Sequence, residues 1–134
     1  MKKYLLDTNT CIYYIKGQFD LRKNFEKVDL DNCFISEITL AELKFGVENS
    51  QKKEKNQIAL DNFLAGIKII PIYHSLDMYA KEKARLRKSG TPIDDFDLLI
   101  GVTSGTHNLI MVTNNSVHFE RIDGIVMEDW TVEN

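Results

Sequence analysis

The sequence predicts an α/β domain with a central parallel β-sheet flanked by helices on both faces. Short apolar runs recur at 4–6, 33–35, 67–72 and 109–112, with a weaker one at 125–127. The stretches between them place apolar residues at helical spacing. Strands that are apolar almost throughout are buried on both faces, as in parallel sheets whose crossovers are helices. The chain has 134 residues and no internal repeat, low-complexity tract or Pro/Gly/Ser linker, so residues 1–134 are expected to form a single domain.

The elements follow in order. After the strand at 4–6, a helix over 9–16 carries Ile12 and Ile15, and Gly17 is its C-terminal stop. After the strand at 33–35, a helix over 38–48 turns Ala41, Leu43 and Phe45 inward. A helix over 56–64 buries Ile58, Leu60, Phe63 and Leu64. The next runs from the capping residue Ser75 to Ser89, ahead of Gly90. The last, over 95–105, carries Phe96, Leu99, Ile100 and Thr103.

A composition of 43% hydrophobic and 28% charged residues is that of a folded globular protein and excludes a disordered chain. No stretch is long and apolar enough to cross a membrane, and Asp7 ends the first apolar run too early for a secretory signal. Cys11 and Cys33 lack metal-ligand spacing and are expected to be reduced and structural, so a cytoplasmic location is expected. Net charge is unevenly spread. Residues 1–88 carry 16 bases against 12 acids, a balance of +4, whereas residues 89–134 carry one base, Arg121, against eight acids, a balance of −7. The basic run Lys81, Lys83, Arg85, Arg87, Lys88 directly precedes the acidic PIDDFD segment. Two readings of that run stand: a flank for a phosphodiester substrate, or the solvated face of a helix.

Asp7, Glu42 and Asp97 each interrupt apolar sequence, in YLLDTNT, ITLAELKFGV and PIDDFDLLIGV. No Lys or Arg lies within five positions of Asp97. Unpaired charge in apolar surroundings costs several kcal/mol, so carboxylates gathered without cations point to a bound divalent ion. Oxygen-only ligands favour Mg²⁺, with Mn²⁺ as a substitute, over zinc. Asp7 at a strand end and Asp97 at a helix start are the expected metal ligands. Glu42, on a longer side chain, reaches the metal through water or orients the nucleophile. In parallel sheets the ligand edge is the carboxyl end of the strands, where Thr113, Asn114 and Asn115 also fall.

Other roles stand beside these. Asp7 also suits capping of the helix that follows. Thr39-x-x-Glu42 has the spacing of a capping box. Asp94 and Asp95 fit helix capping and dipole roles better than ligation. His74, His107 and His118 are scattered and expected to be structural.

The segments LLDTNTCIYYIKG, ITLAELKFGVE, SGTPIDDFDLLI and VTNNSVHFERIDGIVMEDW, in this order across almost the whole chain, resemble the PIN-domain ribonuclease toxins of VapBC toxin–antitoxin pairs, the VapC family. The resemblance implies a PIN-like fold and a Mg²⁺-dependent endoribonuclease neutralised by a VapB-type antitoxin. It carries the catalytic acids onto Asp7, Glu42 and Asp97, with Asp7 and Asp97 as metal ligands. Asn115, Asp95 and Thr113 are secondary candidates. It further implies a homodimer within a toxin–antitoxin complex that binds promoter DNA through the antitoxin. Relatives with the wording LDTNTCI are associated with cleavage in the anticodon loop of initiator tRNA, which makes tRNA the expected substrate. The chain departs from the pattern in having Asn115 and His118 where a fourth acid is often found. It also has Gly101 where alanine is usual, a change expected to matter little.

Two rivals remain. An aspartyl phosphatase wants a second aspartate two residues after the first, where this chain has Asn9, and a lysine near the later acids, where 89–134 has none. A catalytically silent PIN domain would act as an RNA- or protein-binding module instead.

Overall fold

The computed structural model describes residues 2–132, and each of the five expected strands is present: β1 (Tyr4–Leu6), β2 (Cys33–Ser36), β3 (Lys68–Ile70), β4 (Ile110–Val112) and β5 (Val126–Glu128). They form one wholly parallel sheet in the order β3-β2-β1-β4-β5. The chain adds strands outward from β1 to β3, then crosses back and adds β4 and β5 on the other side. The order therefore reverses between β1 and β4, where such sheets form their ligand crevice.

Helices α1 (Thr8–Ile15), α3 (Glu37–Glu48), α4 (Lys53–Leu64), α5 (Leu76–Lys88) and α6 (Asp95–Thr106) match the expected ones to within a few residues. Gly17, at φ +71°, ends α1 as its sequence position suggests. Two short helices, α2 (Arg22–Val28) and α7 (Ser116–Phe119), have no counterpart in the sequence pattern. In α2 only Phe25 is buried, so its charged sequence shows no apolar stripe.

Side chains alternate across the sheet and split the core in two. Tyr4 and Leu6 face one cluster, with Cys11, Phe25, Leu43, Phe63 and Trp130. Leu5 and Met111 face the other, with Leu86, Leu98, Ile100 and Phe119. Cys11 and Cys33 are both free and buried.

Several inward assignments need correction. Phe45 and Ile58 are 67% and 62% exposed, and Ala41 is also exposed. In α3 the buried line runs through Thr39 and Leu43, with Leu40 and Val47 packed beside it. Phe45 lies two positions from Leu43, about 200° round the helix, and so faces solvent. Gly101 also matters more than expected. A methyl group there would overlap Ile122 Cδ1 and stand 3.2 Å from Phe119 Cδ1, so the missing side chain is what lets both pack against α6. Among the described residues no helix is long and apolar enough to cross a membrane.

Candidate active site

Asp7 follows β1 at the carboxyl edge of the sheet and does two jobs. Its backbone N–H donates to Val112 O (3.0 Å), extending the β1–β4 ladder. Its side chain caps α1, with Oδ1 accepting from Thr10 N at 2.8 Å. The other oxygen, Oδ2, accepts from the hydroxyl of Thr113, which follows β4. The capping role is therefore real, yet it occupies only part of the carboxylate. Asp7 is 4% exposed and has no basic partner among the described residues. Burial raises its pKa above the ordinary carboxylate value, and the nearby negative charge of Asp97 adds to this. The bonds from Thr113 and Thr10 act the other way without cancelling the rise.

Glu42 reaches the same place from α3. Ser36 caps that helix by accepting from Ile38 N (3.1 Å), so the capping box with Thr39 does not form. Glu42 is half-buried, and its Oε1 instead accepts from the Thr8 hydroxyl at 2.6 Å. Asp97 lies in the first turn of α6, behind the N-cap Asp94, whose Oδ2 accepts from Phe96 N. Its side chain is 30% exposed.

Asp7, Glu42 and Asp97 line one cavity of about 110 Å³ with Thr8, Asn9, Ile100, Asn115 and Phe119. A 570 Å³ recess beside Tyr14 and Phe63 is larger but carries a single carboxylate, Asp20. The secondary candidates divide. Asn115 lines the cavity, and Thr113 acts through Asp7. Asp95 is engaged elsewhere, paired with Lys83 Nζ (2.9 Å) and accepting from the Tyr79 hydroxyl (2.8 Å).

His118, expected to be structural from its scattered position, lies next to the cavity. It sits on the rim, with Nδ1 3.5 Å from Asp97 Oδ2 and 3.0 Å from Asn115 Nδ2. The contact with Asn115 spans three positions, whereas the contact with Asp97 spans 21 and leaves no local signal. The Thr8–Glu42 bond spans 34 positions and leaves no local signal. The basic run on α5 is only partly available, because Lys83 is tied to Asp95 and Arg85 to Glu82 and Asp123.

The donor set suits a hard divalent cation held partly through water. Among the described residues no three His, Cys, Asp or Glu side chains converge tightly enough to enclose an ion by themselves. Mg²⁺ does not ask for that. It keeps several waters and is bound through one or two carboxylates plus substrate oxygens. Carboxylate and amide oxygens around the cavity, with a buried acid lacking a cation, meet that requirement.

The PIN-domain family pattern matches residues 4–125 of the chain. A tRNA(fMet)-specific endonuclease VapC of Salmonella typhimurium is 36% identical over 132 residues, 97% of this chain and 99% of that protein. The chain belongs to the VapC family of PIN-domain proteins. Ribonuclease VapC2 of Rickettsia felis is 40% identical over 95% of this chain and 97% of its own length. VapC-family likeness extends to the fold. The DNA-bound VapBC structure from S. typhimurium aligns with TM-score 0.90 at 36% identity, covering 97% of this chain and 99% of that one. VapBC2 from R. felis, bound to a promoter DNA fragment, aligns with TM-score 0.87 at 38% identity, covering 95% and 98%.

Proposed function

We propose that this VapC-family chain is the toxin of a VapBC pair, a Mg²⁺-dependent endoribonuclease acting on tRNA, with the anticodon loop of initiator tRNA as its target. The observation that carries the reading is a buried carboxylate, Asp7, lining one small cavity with Asp97 and Glu42 and having no basic partner of its own among the described residues. The tRNA assignment rests on the similarity to the Salmonella endonuclease named above.

Asp7 and Asp97 would hold the ion. When bound, Mg²⁺ neutralises phosphate oxygens and favours ionisation of water. The chain's own residues do the rest. Thr113 and Thr10 fix Asp7 through both carboxylate oxygens. Thr8 holds Glu42 in one orientation, from which it accepts the proton of the water that attacks phosphorus. The P–O bond to the leaving nucleotide breaks as the new bond forms, and the leaving oxygen takes a proton from solvent. Asn115 and the Asn9 side of the cavity orient the phosphodiester, while Ile100 and Phe119 close the apolar wall.

Inhibition follows from the same electrostatics. An apolar groove of about 240 Å³, lined by Ile12, Ile15, Leu43, Val47 and Leu60, reaches Glu42. A VapB-type antitoxin would lay an amphipathic helix there and insert an arginine beside the acids, where a guanidinium fork matches a carboxylate. Neither Phe45 nor Tyr13 lines this groove. The assembly would contain a toxin homodimer, bind promoter DNA through the antitoxin, and act in the cytoplasm.

The test is incubation of the purified chain with total tRNA, with Mg²⁺ and with excess chelator. Cleavage confined to the Mg²⁺ arm is expected. Full cleavage in chelator would overturn the metal mechanism, and no cleavage in either arm would favour the silent binding module.

A further inference from the structure

Beyond the acids, the catalytic rim continues into an aromatic surface that the cleavage chemistry does not use. Asn9 lines the cavity, and Tyr13 follows it one helical turn along the same face of α1. The Tyr13 hydroxyl accepts from Asn114 Nδ2 at 3.1 Å, tying it to the loop that carries Asn115. Phe19 stacks edge-on against Tyr13, with ring centroids 4.9 Å apart, yet remains 53% exposed.

The backbone holds Phe19 there at a cost. Phe19 and Asp20 both lie in the left-handed region, at φ +59° and +51°. That conformation is uncommon for any residue with a side chain, and a bulky aromatic there is an outlier. Such strain persists where the surroundings enforce it and gathers at ligand-contacting sites. Next to the ring opens a cleft of about 750 Å³ whose lining includes Phe19, Asn24, Trp130 and two bases, Lys23 and Lys27, against one acid, Asp20. Lys27 is in no ion pair among the described residues, and Lys23 meets only Asp20, at 3.9 Å between exposed groups.

We propose that Tyr13 and Phe19 form a stacking platform for a base of the RNA strand next to the cleaved bond, with Lys23 and Lys27 drawing that strand's phosphates into the cleft. This rests on the nuclease reading and adds to it where the substrate strand runs. Exposed aromatic faces beside a cationic groove are how proteins hold single-stranded RNA, because every base offers a π-face and every linkage a charge. Tyr13 is the fixed half of the platform, anchored by Asn114. Phe19 is the half that meets the base.

The test compares Phe19→Ala, Phe19→Leu and Phe19→Trp in the full chain, on a single-stranded RNA that the wild type cuts. Phe19→Ala is expected to raise KM by about tenfold with kcat changed by less than about twofold, the usual effect of losing one stacked base. Phe19→Leu should be as impaired as alanine, and Phe19→Trp should restore KM. A second measurement uses the inactive Asp7→Asn background. There, a short single-stranded RNA should quench the extra indole fluorescence that Phe19→Trp adds to the Trp130 signal. Lys27→Gln should weaken that binding and flatten its salt dependence. Wild-type KM in the alanine and leucine variants would overturn the platform while leaving the nuclease intact. If the wild type cuts no RNA, the nuclease reading fails separately, and absence of quenching then overturns the platform as well. Loss of antitoxin affinity without any change towards RNA would make this a protein-binding surface and also overturn the proposal.

Discussion

Two buried carboxylates in this molecule have opposite surroundings. Glu82, on α5, is 8% exposed and fully answered. The Arg85 guanidinium donates to both its oxygens, at 3.1 and 2.8 Å, and the backbone N–H of Asp123 adds a third bond. Its pKa is held below the ordinary value chiefly by the Arg85 bond. Asp7, 4% exposed, has hydroxyl and amide donors but no basic partner among the described residues, and burial pushes its pKa up. The first arrangement ties α5 to the segment after α7. The second leaves a buried carboxylate at the sheet edge with no basic partner among the described residues, the arrangement expected of an acid kept for a ligand rather than for structure.

Substitution sharpens the contrast most strongly through cleavage. Asp7→Asn and Asp97→Asn are each expected to reduce RNA cleavage by about a thousandfold or more, since each removes several kcal/mol of transition-state charge stabilisation. Glu42→Gln should lose less, and Glu82→Gln almost nothing. A gel assay of labelled tRNA over a range of times reads all four. Near-normal cleavage by Asp7→Asn would remove it from the metal site.

Stability should move the other way. Arg85→Ala leaves Glu82 buried without its cation and should destabilise the fold by about 2 kcal/mol. Asp7→Asn should leave the fold unchanged or more stable. The amide still accepts from Thr10 N, and the Thr113 hydroxyl can turn to accept from it. Urea denaturation with unchanged slope is the measurement.

The two acids also predict opposite pH dependence. The folded state raises Asp7 above its ordinary 3.8, so its favourable contribution is full below that value and is lost as pH rises through the higher folded pKa. The folded state lowers Glu82 below its ordinary 4.5, so its contribution is full above that value and is lost as pH falls through the lower folded pKa. Accordingly the advantage of Asp7→Asn over wild type should grow from acid to neutral pH, and the deficit of Glu82→Gln should shrink towards acid. Melting curves across the carboxylate range would reveal either slope reversed. The smallest effect is expected from Gly101→Ala, which must displace Ile122 and crowd Phe119, at a cost of about 1 kcal/mol and a slight loss of cleavage through the cavity wall.

The sheet was readable because its strands are short, apolar and punctuated, and Asp7 and Asp97 because they break apolar runs without a local cation. What escaped were features set by contacts across the chain. Phe45 and Ile58 look inward only while the phase of each helix is unknown, and packing against the sheet fixes that phase. The charged α2 buries a single aromatic and shows no period. His118 meets Asp97 across 21 positions, and Thr8 meets Glu42 across 34, so neither contact leaves a local pattern. Asp95 and Asp97 look alike in sequence, yet one turns to Lys83 and the other to the cavity.

Asp7, buried without a basic partner among the described residues, is expected to be answered by a bound metal ion. Calorimetric titration of the chain with Mn²⁺, alongside Asp7→Asn and Glu82→Gln, tests this directly. The wild type and Glu82→Gln are expected to bind Mn²⁺, and Asp7→Asn is expected to lose that binding. Equal Mn²⁺ affinity in wild type and Asp7→Asn would contradict this.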